Sequence, residues 1–137
     1  MSQRNVEILR SAYEAFDSGE ANKLFELLDP DIEWQAAEDT EPKHGVEGVL
    51  ESLGAWFQVW DDLHMEPEEF IDGGDHVVAV VMFRGRVAGS NEQVSQRFFQ
   101  VWTLRDDRVV AFREYQTRRE ALDATDAAES AGRPSQE

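Results

Sequence analysis

Hydrophobic residues in the first sixty positions recur at three- and four-residue steps, the spacing of an amphipathic helix. In the first such stretch the apolar positions are Val6, Leu9, Tyr13 and Phe16. Glycine, proline and polar runs separate one stretch from the next and mark the helix ends. The pattern predicts three helices, over Gln3–Ser18, Ala21–Leu28 and Val46–Trp60.

Farther along the chain the hydrophobic period changes to two, and β-branched and aromatic residues become frequent, which is typical of strands. Short polar or glycine-containing turns join these stretches, so we expect antiparallel hairpins. With a short strand after the second helix, the predicted strands are Ile32–Ala36, Met65–Asp72, Val77–Val87, Val94–Leu104 and Val109–Thr117. A short helix over Arg118–Ala124 follows, and the Ala-, Ser- and acid-rich residues 125–137 are predicted to be a disordered tail.

The order of these elements, α-α-β-α-β-β-β-β, favours an α+β fold over an alternating α/β fold. One face of an antiparallel sheet must be covered, and the three helices of the N-terminal half are the available cover. Gly85 and Gly89 allow the long strands to bend. We therefore expect one domain, residues 1–124, in which three helices pack against a curved antiparallel sheet that forms a conical barrel with an internal pocket.

The composition of the chain limits the kinds of molecule that such a domain is expected to bind. The chain of 137 residues carries a formal net charge of −16, so nucleic acids and anionic membranes are not expected to bind. No apolar run approaches the roughly 20 residues that span a bilayer. Cysteine is absent, which favours a cytoplasmic location. The three histidines lack the spacing of metal ligands, so we expect neither a metal nor a cofactor.

Five short pieces of the sequence are familiar in their order and spacing. They are Ala12–Gly19, Leu27–Trp34, His44–Gly48, Val101–Asp106 and Arg113–Tyr115. Together they resemble the SnoaL-like branch of the nuclear transport factor 2-like superfamily, which includes ketosteroid isomerase. The resemblance implies a conical α+β barrel with a deep pocket, and a homodimer formed through the sheet. It does not imply one activity, because the superfamily holds isomerases, cyclases, hydrolases, dehydratases and non-catalytic binding domains.

The three catalytic positions of ketosteroid isomerase can be carried over from this resemblance. That enzyme uses an aspartate base, with a tyrosine and a protonated aspartate as the oxyanion hole. The resemblance places the base at Ala36, the tyrosine at Ala12 and the protonated acid at Gln100. Tyr13 follows Ala12 directly and should point about 100° away from it. Steroid isomerisation by that mechanism is therefore not expected.

Glu114 is the carboxylate that the resemblance turns toward the pocket, since it shares a strand face with Phe112 and Gln116. A carboxyl group among aromatic side chains has a raised pKa, as a general acid or base requires. The alternative is an ion pair with Arg84, Arg97 or Arg113 on a neighbouring strand.

Two further residues complete the predicted catalytic set. His44 lies in a loop near the expected mouth of the pocket and could exchange protons with a ligand or with Glu114. Its alternative role is a loop histidine that binds a backbone carbonyl. Gln100 stands on the inward face of the third long strand and would contact the ligand beside Glu114.

Large aromatic side chains dominate the predicted pocket lining, which suits a flat apolar or aromatic molecule. Arg84 belongs there only if its strand face is inside, where it could hold a ligand carboxylate; otherwise it lies on the dimer or solvent face. An aromatic core without a ligand is the alternative. The predicted lining residues are Tyr13, Trp34, Trp56, Trp60, Met82, Arg84, Phe98, Trp102, Phe112 and Gln116.

These residues leave three functions open. The first is a cofactor-free acid–base enzyme of isomerase, cyclase or hydrolase type, acting on a polyketide-like or terpenoid-like molecule. The second is a binding module without chemistry. The third is a structural or regulatory dimer whose pocket is filled by side chains.

Overall fold

The structure is a computed structural model that describes residues 2–37 and 39–131. Within these residues the chain forms four helices: α1 (Ser2–Asp17), α2 (Ala21–Leu27), α3 (Gly45–Val59) and α4 (Arg118–Ala131). It also forms six strands: β1 (Leu28–Gln35), β2 (Lys43–His44), β3 (Trp60–Gly73), β4 (His76–Val87), β5 (Gln93–Arg105) and β6 (Arg108–Tyr115). The predicted α+β class is confirmed.

The six strands form one sheet in the order β2-β1-β6-β5-β4-β3. Four of the five neighbouring pairs are antiparallel, but β1 runs parallel to β6, with Leu28 beside Val109 and Trp34 beside Phe112. The prediction of a wholly antiparallel sheet is therefore wrong at this pair. Hairpin turns reveal the direction only of strands that follow each other, whereas β1 and β6 meet from opposite ends of the chain. The edges β2 and β3 do not pair, so the sheet is open rather than a closed barrel.

Several elements differ from the predicted ones, including β1, which begins at Leu28 and not at Ile32. Strand β3 begins at Trp60, directly after α3, and not at Met65. The segment predicted as loop contains β2, which pairs with Glu33 and Trp34 of β1. Helix α4 extends to Ala131, farther than the predicted Arg118–Ala124, and residues 132–137 of the predicted tail lie outside the described residues.

Alternate side chains of the central strands point to the two faces of the sheet. The inner face packs against α1, α2 and α3, with Leu9, Val49 and Val81 fully buried. The outer face carries a second apolar cluster beneath α4, where Ala121 has no exposed surface. The sequence analysis predicted helices over one face of the sheet only. It did not predict that α4 would cover the other face.

The rim of the outer face is charged. Ion pairs join Arg84 to Glu66 at 2.8 Å, Arg97 to Glu68 at 2.7 Å and Arg118 to Glu69 at 2.9 Å. In a single chain, α4 and these pairs therefore occupy the face through which a homodimer was predicted. The dimer stays a prediction.

Candidate functional site

A cavity lies between the inner face of the sheet and the first three helices. The space free of atoms there is about 630 Å³, a figure that includes open solvent at its mouth. Its wall is mostly apolar, and three of its polar side chains, Tyr13, Gln100 and Glu114, lie together at one end. The residues that line it are Ala12, Tyr13, Phe16, Leu24, Trp34, Ala36, Ser52, Leu53, Trp56, Met65, Gln100, Trp102, Phe112 and Glu114.

A chain of hydrogen bonds runs along the polar end of this cavity. The Trp102 Nε1–H donates to the Tyr13 hydroxyl oxygen at 2.9 Å, and the Tyr13 hydroxyl donates to Gln100 Oε1. The Gln100 Nε2 then donates to Glu114 Oε2 at 2.7 Å. The backbone N–H of Ala37 donates to Glu114 Oε1 at 3.0 Å. Both carboxylate oxygens therefore accept hydrogen bonds from N–H donors, the arrangement that suits an ionised carboxylate.

Sheet register brings these groups together. Gln100 and Glu114 are directly opposite on β5 and β6, and Trp102 is opposite Phe112 two residues farther along. Such opposed side chains on one face lie within contact distance. The parallel pairing of β1 with β6 carries the chain past Glu114, which explains why the N–H of Ala37 reaches the carboxylate.

Burial raises the pKa of Tyr13 well above its ordinary value. Loss of hydration is the largest cause, the hydrogen bond from Trp102 opposes it, and the nearby charge of Glu114 adds to it. The phenol is therefore protonated at neutral pH and acts as a donor.

Tyr13 lines the cavity, as predicted, and Ala12, where the resemblance places the isomerase tyrosine, lines it too. Ala12 and Tyr13 are both buried, at 5% and 8% exposure, so the buried stripe of α1 is wide enough to include two consecutive residues. At the polar end of the cavity the Tyr13 phenol is hydrogen-bonded to the Gln100 amide. Ala36 also lines the cavity, but its side chain has no functional group.

Trp34 contributes an unusual group to the lining. Its ring stacks on Phe112 with centroids 4.0 Å apart and meets Trp102 edge-on at 5.9 Å. Its Nε1–H is buried and makes no hydrogen bond to any residue that the structure describes.

The predicted residues that share the cavity wall are therefore Tyr13, Trp34, Trp56, Gln100, Trp102, Phe112 and Glu114. Two others face the same side but pack behind the wall. Phe98 and Trp60 contact Phe83 at centroid distances of 6.2 Å and 4.8 Å. Gly85 leaves room for Trp60, since a Cβ there would lie 3.1 Å from Trp60 Cε3 and 2.7 Å from Phe83 Cζ.

Four predicted residues lie elsewhere. Met82 and Arg84 point to the outer face, because β4 directs Val81 and Phe83 inward and the intervening residues outward. Gln116 is exposed beyond the end of β6. For these three the prediction of a place in the pocket lining is wrong.

His44 is also exposed and lies outside the cavity wall, in the residue before α3. The three arginines considered as partners of Glu114 pair with other acids. Arg84 binds Glu66 and Arg97 binds Glu68, while Arg113 lies 3.5 Å from Glu33.

Sequence reasoning missed several wall residues. Phe16 and Leu53 continue the apolar stripes that hold Tyr13 and Trp56, so helical spacing was a usable signal for both. The backbone N–H of Ala37 had no signal, because a main-chain donor is independent of residue type.

The described residues hold no group of three or more His, Cys, Asp or Glu side chains that could bind a metal ion. No helix in this part of the chain is both long and apolar enough to cross a membrane.

Comparisons with known proteins agree with the observed fold. Residues 9–112 match the family model of the SnoaL-like domain. An NTF2-like protein from Burkholderia xenovorans LB400 superposes with a TM-score of 0.71 and 25% identity, covering 91% of this chain and 98% of its own. A putative SnoaL-like polyketide cyclase from Jannaschia sp. CCS1 gives a TM-score of 0.75 at 20% identity, covering 90% and 91%.

A third similar structure is TerC, which was co-crystallised with polyporic acid. It has a TM-score of 0.73 and 22% identity, and the superposition covers 87% of this chain and 95% of TerC. None of the curated proteins compared with this chain matches it significantly. The resemblance read from the sequence is confirmed, and this chain belongs to the SnoaL-like domain family.

Proposed function

We propose that this protein is a cofactor-free acid–base enzyme that acts on a flat, mostly apolar molecule of polyketide-like or terpenoid-like character. One observation carries the proposal. Among the described residues of the wall, Glu114 is the carboxylic acid, and it lies 8% exposed at the polar end of an otherwise aromatic cavity. A positioned carboxylate in a water-poor pocket is the arrangement that proton transfer requires.

The proposed chemistry begins with proton transfer from carbon. Glu114 takes a proton from a carbon atom next to a ligand carbonyl, and the electron pair of the broken C–H bond moves to form an enolate. In this step the single hydrogen of the Tyr13 hydroxyl, which stays protonated because burial raises its pKa, turns from Gln100 Oε1 to the enolate oxygen and stabilises its negative charge. Return of the proton from Glu114 to a different carbon gives an isomer. Alternatively, the enolate carbon attacks a second carbonyl and closes a ring, and the alkoxide formed there takes the proton back from Glu114.

Gln100 is a positioning residue in this scheme. Its amide accepts from Tyr13 and donates to Glu114, which fixes the carboxylate relative to the phenol. A glutamine does not transfer protons at neutral pH, so the proton stays with Glu114 or the ligand.

Two of the similar structures support the ligand class. One is described as a putative polyketide cyclase, and another was crystallised with polyporic acid. Each description applies to that protein, and here it supports only the choice of compounds to test.

The test is turnover of a set of aromatic β-diketones, followed by liquid chromatography and mass spectrometry. Glu114→Gln keeps the shape of the side chain and removes the base, so we expect at least about a hundredfold loss of rate. Glu66→Gln is the matched control, since Glu66 is exposed on the outer face, and its rate should equal that of the wild type. Unchanged turnover in Glu114→Gln would contradict the proposed role.

A second candidate function is binding without chemistry. It is favoured by Ala36, which lines the cavity where the resemblance to ketosteroid isomerase places the base. Tryptophan fluorescence during titration with polyporic acid separates the two candidates when the products are also measured. Tight binding without conversion of any compound supports the binding module.

We also propose that the protein is a homodimer formed through the sheet, as the family resemblance implies. Sedimentation at micromolar concentration tests it, and a monomeric mass would contradict it.

A further inference from the structure

The indole N–H of Trp34 is a hydrogen-bond donor without an acceptor among the described residues. Trp34 is only 4% exposed and forms part of the cavity wall. Trp102, equally buried, shows the usual solution, because its Nε1–H donates to the Tyr13 hydroxyl oxygen at 2.9 Å. Trp34 and Trp102 thus stand side by side in one wall with different hydrogen-bond states.

Two aromatic neighbours pack against the Trp34 ring and restrict its rotation. The Trp34 ring is stacked on Phe112, at a centroid distance of 4.0 Å and an interplanar angle of 23°. Its other neighbour, Trp102, meets it at 80°. The strand that carries Trp34 pairs with β2 on one side and β6 on the other, which limits movement of its backbone.

A buried donor without a partner is unfavourable, and native proteins contain few of them. Where such a donor persists in the wall of a cavity, an acceptor supplied by a ligand removes the penalty. The same penalty disfavours an apolar ligand that covers the donor without bonding to it.

We propose that the Trp34 Nε1–H binds an oxygen acceptor of the ligand, either a ketone, quinone or enolate oxygen, and that Trp34 is a specificity-determining residue. The inference rests on the proposed function, because it requires a ligand in this cavity. It adds a requirement to the ligand class: the molecule is flat and apolar, and it carries an oxygen at the edge that meets Trp34. Trp34 then donates a hydrogen bond to an oxygen of the ligand, and Glu114 contacts an acidic hydrogen of the ligand.

The experiment compares two probes of the same shape, 2-acetylnaphthalene and 2-ethylnaphthalene, of which the first carries a carbonyl oxygen. Affinities are measured by equilibrium dialysis for the wild type, for Trp34→Phe, and for protein in which Trp34 is replaced by 3-benzothienylalanine. The last change replaces the indole N–H by sulfur and keeps the size of the ring. We expect the ratio of ketone affinity to hydrocarbon affinity to fall about tenfold in both variants.

Hydrocarbon affinity serves as the internal control for packing. It should stay unchanged with 3-benzothienylalanine, and any loss with Trp34→Phe reports the smaller ring alone. An unchanged affinity ratio in a protein that binds the ketone overturns the inference and leaves the proposed function standing. If neither naphthalene nor polyporic acid binds to the wild type, the proposed function fails and the inference fails with it.

Thermal unfolding of the ligand-free protein gives a second readout. Because the N–H has no partner, replacement of Trp34 by 3-benzothienylalanine should leave Tm unchanged or raise it. A drop of several degrees would show that the N–H is already bonded inside the protein, for example to the ring face of Trp102, and would overturn the inference.

Discussion

The two faces of the central strands differ in how they bury the same kinds of residue. On β4, Val81 points inward and Val80 outward, and both are buried. The outer cluster is closed by α4 and surrounded by exposed ion pairs. The inner face leaves a cavity, and its polar side chains bond to one another. Burial alone therefore does not mark a site, whereas burial beside open space and a linked set of polar groups does.

Acidic residues show the same contrast. Glu68, on the outer face, pairs with Arg97, and the pair is open to solvent, which screens its charge. Glu114, on the inner face, accepts hydrogen bonds from an amide and a backbone N–H in apolar surroundings. Two residues of one type thus have different chemistry because their strands present them to different faces.

The largest expected effect is on the inner face. Phe83 is 2% exposed and contacts Trp56 and Trp60 at centroid distances of 4.9 Å and 4.8 Å. Phe83→Ala should lower the free energy of unfolding by about 3–5 kcal/mol, measured by urea denaturation. A loss below about 1 kcal/mol would mean that this packing is loose and that the contrast between the faces is overstated.

Tyr13→Phe tests the polar chain with a change of one oxygen atom. The Trp102 N–H and the Gln100 oxygen both lose a partner, so we expect a loss of about 1–3 kcal/mol in the free energy of unfolding at neutral pH. Equal stability of variant and wild type would show that the chain contributes nothing to the fold.

The same variant alters the dependence of stability on alkaline pH. The folded protein holds the Tyr13 proton more tightly than the unfolded chain, whose tyrosines ionise near the ordinary pKa of 10.0. The contribution of Tyr13 to stability is therefore complete below about pH 10 and is lost as the pH rises further. Urea denaturation between about pH 8 and 11 should show a steeper fall in the wild type than in Tyr13→Phe. Parallel curves would contradict the raised pKa.

A matched pair of variants compares the two covers directly. Val81→Ala and Val80→Ala remove the same atoms from adjacent residues, under the first three helices and under α4 respectively. If the helices pack tightly on both faces, each variant should lose about 2 kcal/mol of unfolding free energy. A much smaller loss for Val80→Ala would show that α4 holds the outer face only weakly.

The smallest expected effect is at the charged rim. Arg84 and Glu66 form a pair whose side chains are 55% and 63% exposed. Arg84→Ala should change the free energy of unfolding by less than about 1 kcal/mol, and by less still in high salt. Ligand affinity should not change, since Arg84 points away from the cavity. A loss of affinity would show that the two faces are coupled.

Much of the fold was predictable from periodicity. The helical stripes of α1 and α3 and the alternation in β4 and β5 are local signals, and all four elements form where these signals occur. Which face of β4 points inward was not predictable, because Val77–Val81 are apolar at every position, and the error for Met82 and Arg84 follows from that. The sequence also did not predict that β1 pairs with β6, because this pairing depends on contacts between residues distant in sequence.

For the site, Glu114, Gln100 and four aromatic residues of the wall besides Tyr13 followed from the family resemblance and strand alternation. The place of Tyr13 in the wall followed instead from the helical spacing that puts it on the apolar stripe of α1 with Leu9 and Phe16. His44 was expected near the mouth from its place in a loop, and a short strand instead places it at the sheet edge, in solvent.

The hydrogen-bond chain also sets the order in which the molecule can assemble. Tyr13 and Gln100 are 87 residues apart, and Ala37 and Glu114 are 77 apart. Strand β1 finds its parallel neighbour only when β6, one of the last elements of the chain, is present. Contacts of this separation slow folding, because a long loop must close before they form. We therefore expect an early helical and hairpin phase that lacks the polar end of the cavity, and a later phase in which β1, β6 and the Tyr13–Gln100–Glu114 chain form together.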